Sequence, residues 1–205
     1  MPRVASRSGP DAQKNACGEP PPVAIVRVRV ATPYDAPAWH ALWKEYGRTA
    51  SRDFTDAHTN SVWQHICEPS EPLKSLIATD AAGVPVGFAG FHVHYDACND
   101  GLACHLDDLY VHPLARQSGI ATRLIDTLLE MGRSKEWVKV YWVALRTNVP
   151  ARRLYETRFV GPDGYIRYTI FLAGPVKHSV ADSTSAITRP PELMPAASPV
   201  AAVEP

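Results

Sequence analysis

Apolar residues recur at two different periods along the middle of the chain, and the switches between them mark out the elements. From Ala24 to Val30, β-branched residues dominate an alternating run, which predicts a first strand. Thr32-Pro33 then offers a helix cap followed by proline at the helix start. Trp39, Leu42, Trp43 and Tyr46 follow at helical spacing, and a second helix beginning near Asp56 carries Val62, Trp63 and Ile66. Strands are expected at Ser75–Thr79, Val86–Tyr95 and Leu102–Val111, with a turn through Ala82-Gly83 between the first two. Gly119–Gly132 is helical, with Ile120, Leu124, Ile125, Leu128 and Leu129 on one stripe. A strand at Val138–Ala144, a short helix at Asn148–Thr157 and a closing strand at Tyr165–Leu172 complete the set. Strands outnumber helices and the hairpin comes early. The expected class is therefore α/β, with a mixed, largely antiparallel central sheet flanked by helices and not a doubly wound one.

Proline sets the boundaries of this pattern. Residues 1–24 hold five prolines and residues 174–205 hold six, leaving eight in the 149 residues between. Neither end has a period, so neither buries enough surface to offset chain entropy. The expectation is a disordered arm over 1–24, one domain over 25–173 and a disordered Pro/Ala-rich tail over 174–205. Lysine plus arginine equals aspartate plus glutamate, 21 of each. That balance gives no electrostatic drive toward nucleic acid or an anionic membrane. Cys17, Cys67, Cys98 and Cys104 form no CxxC pair and fit no zinc framework. With no long apolar run and no leader-like start, they read as reduced thiols of a cytoplasmic protein.

The strongest chemical signal follows the third predicted strand. Leu109-Tyr-Val111-His-Pro-Leu-Ala-Arg116-Gln117-Ser118-Gly119-Ile120-Ala121-Thr122 runs strand, short loop, then a helix opened by glycine. Free N–H groups at a helix start, at the positive end of its dipole, form an anion site. A plain strand–turn–helix connection capped by Ser118 explains the same residues equally well.

Arg116-x-x-Gly119-x-Ala121 after Val-His-Pro resembles the acetyl-CoA pyrophosphate loop of the GNAT acetyltransferases. That resemblance implies that the amides of Gln117 through Thr122 cradle the pyrophosphate, and that Leu109 and Val111 bond the pantetheine arm. Asn148-Val-Pro-Ala151-Arg-Arg-Leu154-Tyr155 matches the family's Asn-x-x-Ala-x-x-Leu/Phe-Tyr, again after an apolar strand. By the same resemblance Asn148 caps its helix and meets the cofactor, while Tyr155 faces the acetyl sulfur and protonates the leaving thiolate. His105-Leu-Asp107-Asp108-Leu-Tyr-Val is similar to the acidic strand of the spermidine/spermine and the fungal histone and polyamine acetyltransferase branches. Those relatives carry glutamate where this chain has Asp107, one methylene shorter, which makes a bridging water the expected route for the amine's proton. The resemblance spans about Ile25 to Phe171 and implies acetyl-CoA as co-substrate, a small amine or lysine-containing acceptor, direct transfer in a ternary complex, and a homodimer. A non-catalytic acyl-CoA-binding module is the alternative, since binding needs only the Arg116–Thr122 loop and Asn148.

Other clusters carry less. His92, His94 and His105 are expected on one sheet face, but no carboxylate is expected to complete a metal site, so no metal is predicted. Trp39, Trp43 and Tyr46 read as core, or else as an aromatic wall for a cationic acceptor. Arg152 and Arg153 read as a solvated helix face, and Asp96 and Asp100 as a solvated loop. None of the cysteines lies in a motif that suggests an acetyl-enzyme.

Overall fold

The computed structural model describes residues 27–170 and Leu172. The expected disordered arm and the whole of the expected tail lie outside them, as do Ala24 to Val26 of the first predicted strand. The elements run β1 (Arg27–Val30), α1 (Ala36–Thr49), α2 (Asp56–Cys67), β2 (Leu73–Thr79), β3 (Pro85–Asp96), β4 (Gly101–Val111), α3 (Ile120–Ser134), β5 (Lys139–Trp142) and α4 (Val149–Arg158). Single 3₁₀ turns at Pro33–Asp35 and Pro113–Ala115 precede α1 and follow β4. No helix among the described residues is long and apolar enough to cross a membrane.

The five strands lie in sequence order, β1-β2-β3-β4-β5. The first three pairings are antiparallel. The fourth, β4 with β5, is parallel, because α3 carries the chain back across the sheet between them. The expected mixed, largely antiparallel sheet is therefore present.

Alternation along the strands sorts side chains onto two faces. On one, Leu76, Ala78, Ala89, Phe91, Cys104 and Leu106 pack with Ile120, Leu124, Ile125 and Leu128 of α3. On the other, Phe88 and Tyr110 meet Trp39, Leu42 and Trp43 of α1 and Trp63 and Ile66 of α2. Trp39 is 1% exposed and stacks on Trp43 at 5.0 Å. Its indole N–H donates to Ser75 Oγ at 3.2 Å. The helix stripe is core and not a ligand wall.

The closing strand is a correction. Residues 165–170 and Leu172 form no regular secondary structure. The alternation Tyr165-Ile-Arg-Tyr-Thr-Ile is real, but a period of two makes a strand only where a neighbour accepts its backbone bonds. Among the described residues no strand does so, and Tyr165 and Tyr168 are 91% and 88% exposed.

The entry to α1 also differs from expectation. Thr32-Pro33 opens a 3₁₀ turn, and the α-helix starts three residues later. Asp35 closes the turn: its Oδ2 accepts from the Thr32 amide at 2.7 Å and the Thr32 hydroxyl at 2.9 Å. The Arg29 guanidinium of β1 holds the same carboxylate through two bonds of 2.7 Å. This partner, opposed by burial and helped by Thr32, pulls the Asp35 pKa down to about 2. A carboxylate depressed in the folded state contributes stability above its unfolded pKa and loses it as pH falls through the folded value. Asp35→Asn should therefore cost about 2 kcal/mol at pH 7. The gap in Tm from wild type should close between about pH 4 and pH 2. Thermal melts of both proteins across pH 2–7 measure this; a gap that persists at pH 2 contradicts it.

Candidate functional site

The site is built around an irregularity in β4. In the β3–β4 register, Gly90 faces Asp108 and Phe91 faces Leu106, which leaves Asp107 as an extra residue. Such a bulge bends a strand and re-aims its side chains. Before it, Cys104 and Leu106 point into the α3 layer; after it, Leu109 and Val111 do so. Asp107 and Asp108 both turn to the opposite face, where Asp107 meets histidines and Asp108 meets Tyr46 of α1. On the other edge of β4 the pairing with β5 ends at Leu106–Trp142. From Asp107 to Val111, β4 has no strand partner on that side among the described residues. Backbone polar groups left at such an edge must find partners elsewhere.

The loop after β4 completes this opening. Arg116 Nε donates to the Val111 carbonyl at 3.0 Å, and its guanidinium carbon lies 5.9 Å from the Tyr110 ring centroid. Arg116 thus braces the loop against the strand. Gln117 (φ 62°) and Gly119 (φ 80°) are left-handed, which bends the chain sharply into α3. The Ser118 hydroxyl donates to Ala115 O at 2.5 Å. It is turned back into the loop, so the simple reading of a helix capped by Ser118 fails. Gly119 is the N-cap of α3 and no side chain caps it. A Cβ at Gly119 would meet no atom within 4 Å. The first amides of α3, from Gly119 through Ile120, Ala121 and Thr122, therefore start a 15-residue helix beside open space. Of the other helices, α2 and α4 are capped by side chains, Thr55 and Asn148, whereas α1, which follows the 3₁₀ turn, has no side-chain cap either. An uncapped N-terminus with room in front of it is suited to a diphosphate.

The second motif stands where its sequence placed it. Asn148 Oδ1 accepts from the Ala151 amide at 3.3 Å and caps α4. Tyr155, two turns along α4, lies edge-on to Trp142 at the end of β5, with ring centroids 5.3 Å apart. It joins Leu109 on the flank of the α3-side core. Burial raises its pKa, so the hydroxyl holds its proton at neutral pH.

The α1/α2 face of the sheet is polar beyond the reach of those helices. Asp107 lies between two imidazoles: His105 Nδ1 is 2.8 Å from Oδ1 and His92 Nδ1 is 2.7 Å from Oδ2. His94 Nε2 is 2.9 Å from the Tyr141 hydroxyl. The three histidines do share a face, and a carboxylate does join two of them, His92 and His105, contrary to expectation. His92, His105 and Asp107 each offer an atom within 4.8 Å of the others, a set that could hold a metal ion. Asp108, the neighbouring carboxylate, is half-buried and its pKa is raised, chiefly by burial and also by the Asp107 charge. The Tyr46 hydroxyl opposes this, and the Tyr46 pKa is itself raised by burial and then by the Asp108 charge. Tyr155 also contributes to the rise at Tyr46, so the two tyrosines and Asp108 form one electrostatic group. Sequence reasoning missed the Tyr46–Asp108 pair. Tyr46 shares a helix stripe with core tryptophans, and nothing local reveals what lies across from it. Cys104 is fully buried and its thiol is pushed up to about 12, which leaves it unreactive.

Comparison with known proteins points in one direction. Residues 37–161 match the family model described as the acetyltransferase (GNAT) family. A D-amino-acid N-acetyltransferase of Saccharomyces cerevisiae is 28% identical over 129 residues, 62% of this chain and 80% of that protein. A thialysine N-epsilon-acetyltransferase of Caenorhabditis elegans is 37% identical over 99 residues, 45% of this chain and 62% of that protein. The solved structure of AAC(6')-Iy, in complex with a bisubstrate analogue of CoA and acetylneamine, superposes with a TM-score of 0.63. It is 20% identical, and the match covers 73% of this chain and 99% of that one.

The loop geometry has a direct test. Gly119→Glu places a carboxylate and a strained left-handed backbone where the α3 amides open. Calorimetry should show CoA affinity reduced at least about tenfold, as expected for like charge beside an anion. Unchanged affinity would remove the anion-site reading.

Proposed function

From a chain that belongs to the acetyltransferase (GNAT) family, we propose an enzyme that moves the acetyl group of acetyl-CoA directly onto a primary amine while both substrates are bound. The acceptor class is a polyamine, another small amine or a lysine side chain. Two relatives support an amine acceptor, since one is named for D-amino acids and the other for thialysine. The observation that carries the reading is the opening of β4 from β5 beside the uncapped start of α3. Acetyl-CoA supplies an activated thioester. The amides from Gln117 to Thr122 would hold its diphosphate, the free edge of Leu109 and Val111 its pantetheine arm, and Asn148 would line the path beside them.

The amine must be neutral to attack. A lysine-type ammonium has a pKa near 10.4, so neutralising it at pH 7 costs about 4.6 kcal/mol. The acidic pair on β4 meets this need: the Asp107 charge gathers the ammonium at the sheet face, and a base beside it removes the proton. The leaving sulfur needs a proton in return, and Tyr155 would give one. Its hydroxyl is kept neutral by burial, and its ring lies edge-on to Trp142 at the end of β5. A thiol covalently carrying the acetyl group has no support at Cys104, which is buried with a raised pKa.

A homodimer belongs to the same reading. β5 is a four-residue edge strand, and Val138, Val143 and Leu145 beside it are exposed. Sedimentation at tens of micromolar should give a dimer mass, and a monomer would exclude it.

Tyr155→Phe keeps the ring against Trp142 and removes only the hydroxyl. It should leave acetyl-CoA affinity intact and lower kcat by about 10²–10⁴. Full turnover by this variant on a good acceptor would end the acid role. Wild-type protein that binds acetyl-CoA yet acetylates nothing across polyamines, amino acids of both hands, aminoglycosides and lysine peptides would favour a binding module.

A further inference from the structure

The carboxylate expected to take the amine's proton is already engaged on both oxygens. Asp107 Oδ1 lies 2.8 Å from His105 Nδ1, and Oδ2 lies 2.7 Å from His92 Nδ1. A carboxylate has only acceptors, so each imidazole presents Nδ1–H to it. That tautomer leaves the Nε2 lone pair of each ring free. We infer that the proton acceptor in this site is the His92–Asp107–His105 cluster, with the imidazole Nε2 atoms as bases and Asp107 as the positioning residue between them. This rests on the acetyltransferase reading and names the base it requires.

Three observations favour the imidazoles over the carboxylate. An imidazole is a base near neutral pH, whereas an ordinary carboxylate is a base only in acid, and proton transfer is most efficient when the base matches the working pH. Asp107 is one methylene shorter in reach than the family's glutamate, and the rings extend from it by their own width. The cluster is also graded in exposure: the His105 side chain is 18% exposed and that of His92 35%, so His92 has the more open route to water.

The step balances within the site. One ammonium N–H bond breaks, its electron pair stays on nitrogen as the nucleophile, and the proton bonds to an imidazole Nε2. Nδ1–H remains on the ring, and its hydrogen bond to Asp107 stabilises the new positive charge. The proton then leaves from Nε2 to water. Other groups facing the cluster set its pH response: His94 on β3, Asp108 on β4, and Lys139 and Tyr141 on β5, with His105 and Tyr141 rings 4.8 Å apart. Tyr46 of α1 and Arg52 act on it through Asp108.

The double variant His92→Asn, His105→Asn tests the assignment, because each asparagine amide can still donate to Asp107 while carrying no base. With a lysine-like amine, kcat/KM should fall about 10²-fold or more at pH 7. The deficit should shrink as pH rises, and with an acceptor whose amine is already neutral. CoA affinity should be unchanged, and so should wild-type activity after chelation with EDTA. Independently of activity, ¹⁵N NMR of the wild type should show both rings as Nδ1–H tautomers, shifted by Asp107→Asn. Nε2–H tautomers, a wild-type pH profile in the double variant, or chelator-sensitive activity each overturn the relay and leave the acetyltransferase reading standing. A wild type that acetylates no amine overturns that reading and the relay with it.

Discussion

The structure depends on how far β4 and β5 stay together. Their parallel pairing covers Ala103–Leu106 against Lys139–Trp142 and then stops. Five more residues of β4 run on without a partner on that side. A bulge at Asp107 falls where the pairing ends, so the strand bends as its neighbour leaves. The groups proposed to bind and react border this parting. The free backbone of β4 lies along it, α3 starts at its end, and Tyr155 and Trp142 close its far side.

Such an opening is costly unless the rest of the sheet is firmly held. The long antiparallel pairings on the other side of β4 provide that support. So do two hydrophobic layers, one built on α3 and one on α1 and α2. Phe88 and Trp39 are almost wholly buried in the second layer, on the same face of the sheet as the histidine–carboxylate cluster. Binding groups are thereby mounted on rigid strands, which is where they hold their geometry best. The same burial shapes the chemistry: it raises the pKa of Tyr155, Tyr46 and Asp108, while leaving Asp107 and its histidines at the water-facing end of the face.

Charge is arranged locally and not globally. The chain is neutral overall, so attraction of a cationic amine must come from the site itself. In the proposed reaction two adjacent carboxylates would provide it, because the bulge turns both to one face where regular alternation would have sent them to opposite faces. They differ in environment: Asp108 is desolvated beside Tyr46, and Asp107 is held between imidazoles. Adjacent residues of one type thus acquire different roles from their neighbours alone.

Most of the fold was legible in the sequence because its causes are local. Period and propensity located every helix and the strands β2 to β4 closely, and Asn148 announced its cap. The glycine at the start of α3 was legible for the same reason, since a left-handed turn favours it. What the sequence left open depended on partners distant in the chain. The alternation at Tyr165–Leu172 was indistinguishable from a strand, yet a strand exists only with a neighbour. Whether Ser118 capped α3 turned on its hydroxyl reaching Ala115 instead. The three histidines were visible, but their link through Asp107 required the bulge that sets β3 and β4 one residue out of step. Local periodicity therefore determined the elements and the glycine-opened loop proposed to hold the diphosphate. Only tertiary structure decided which side chains share a proton, because that depends on register between strands, and a one-residue change of register sends a side chain to the other face.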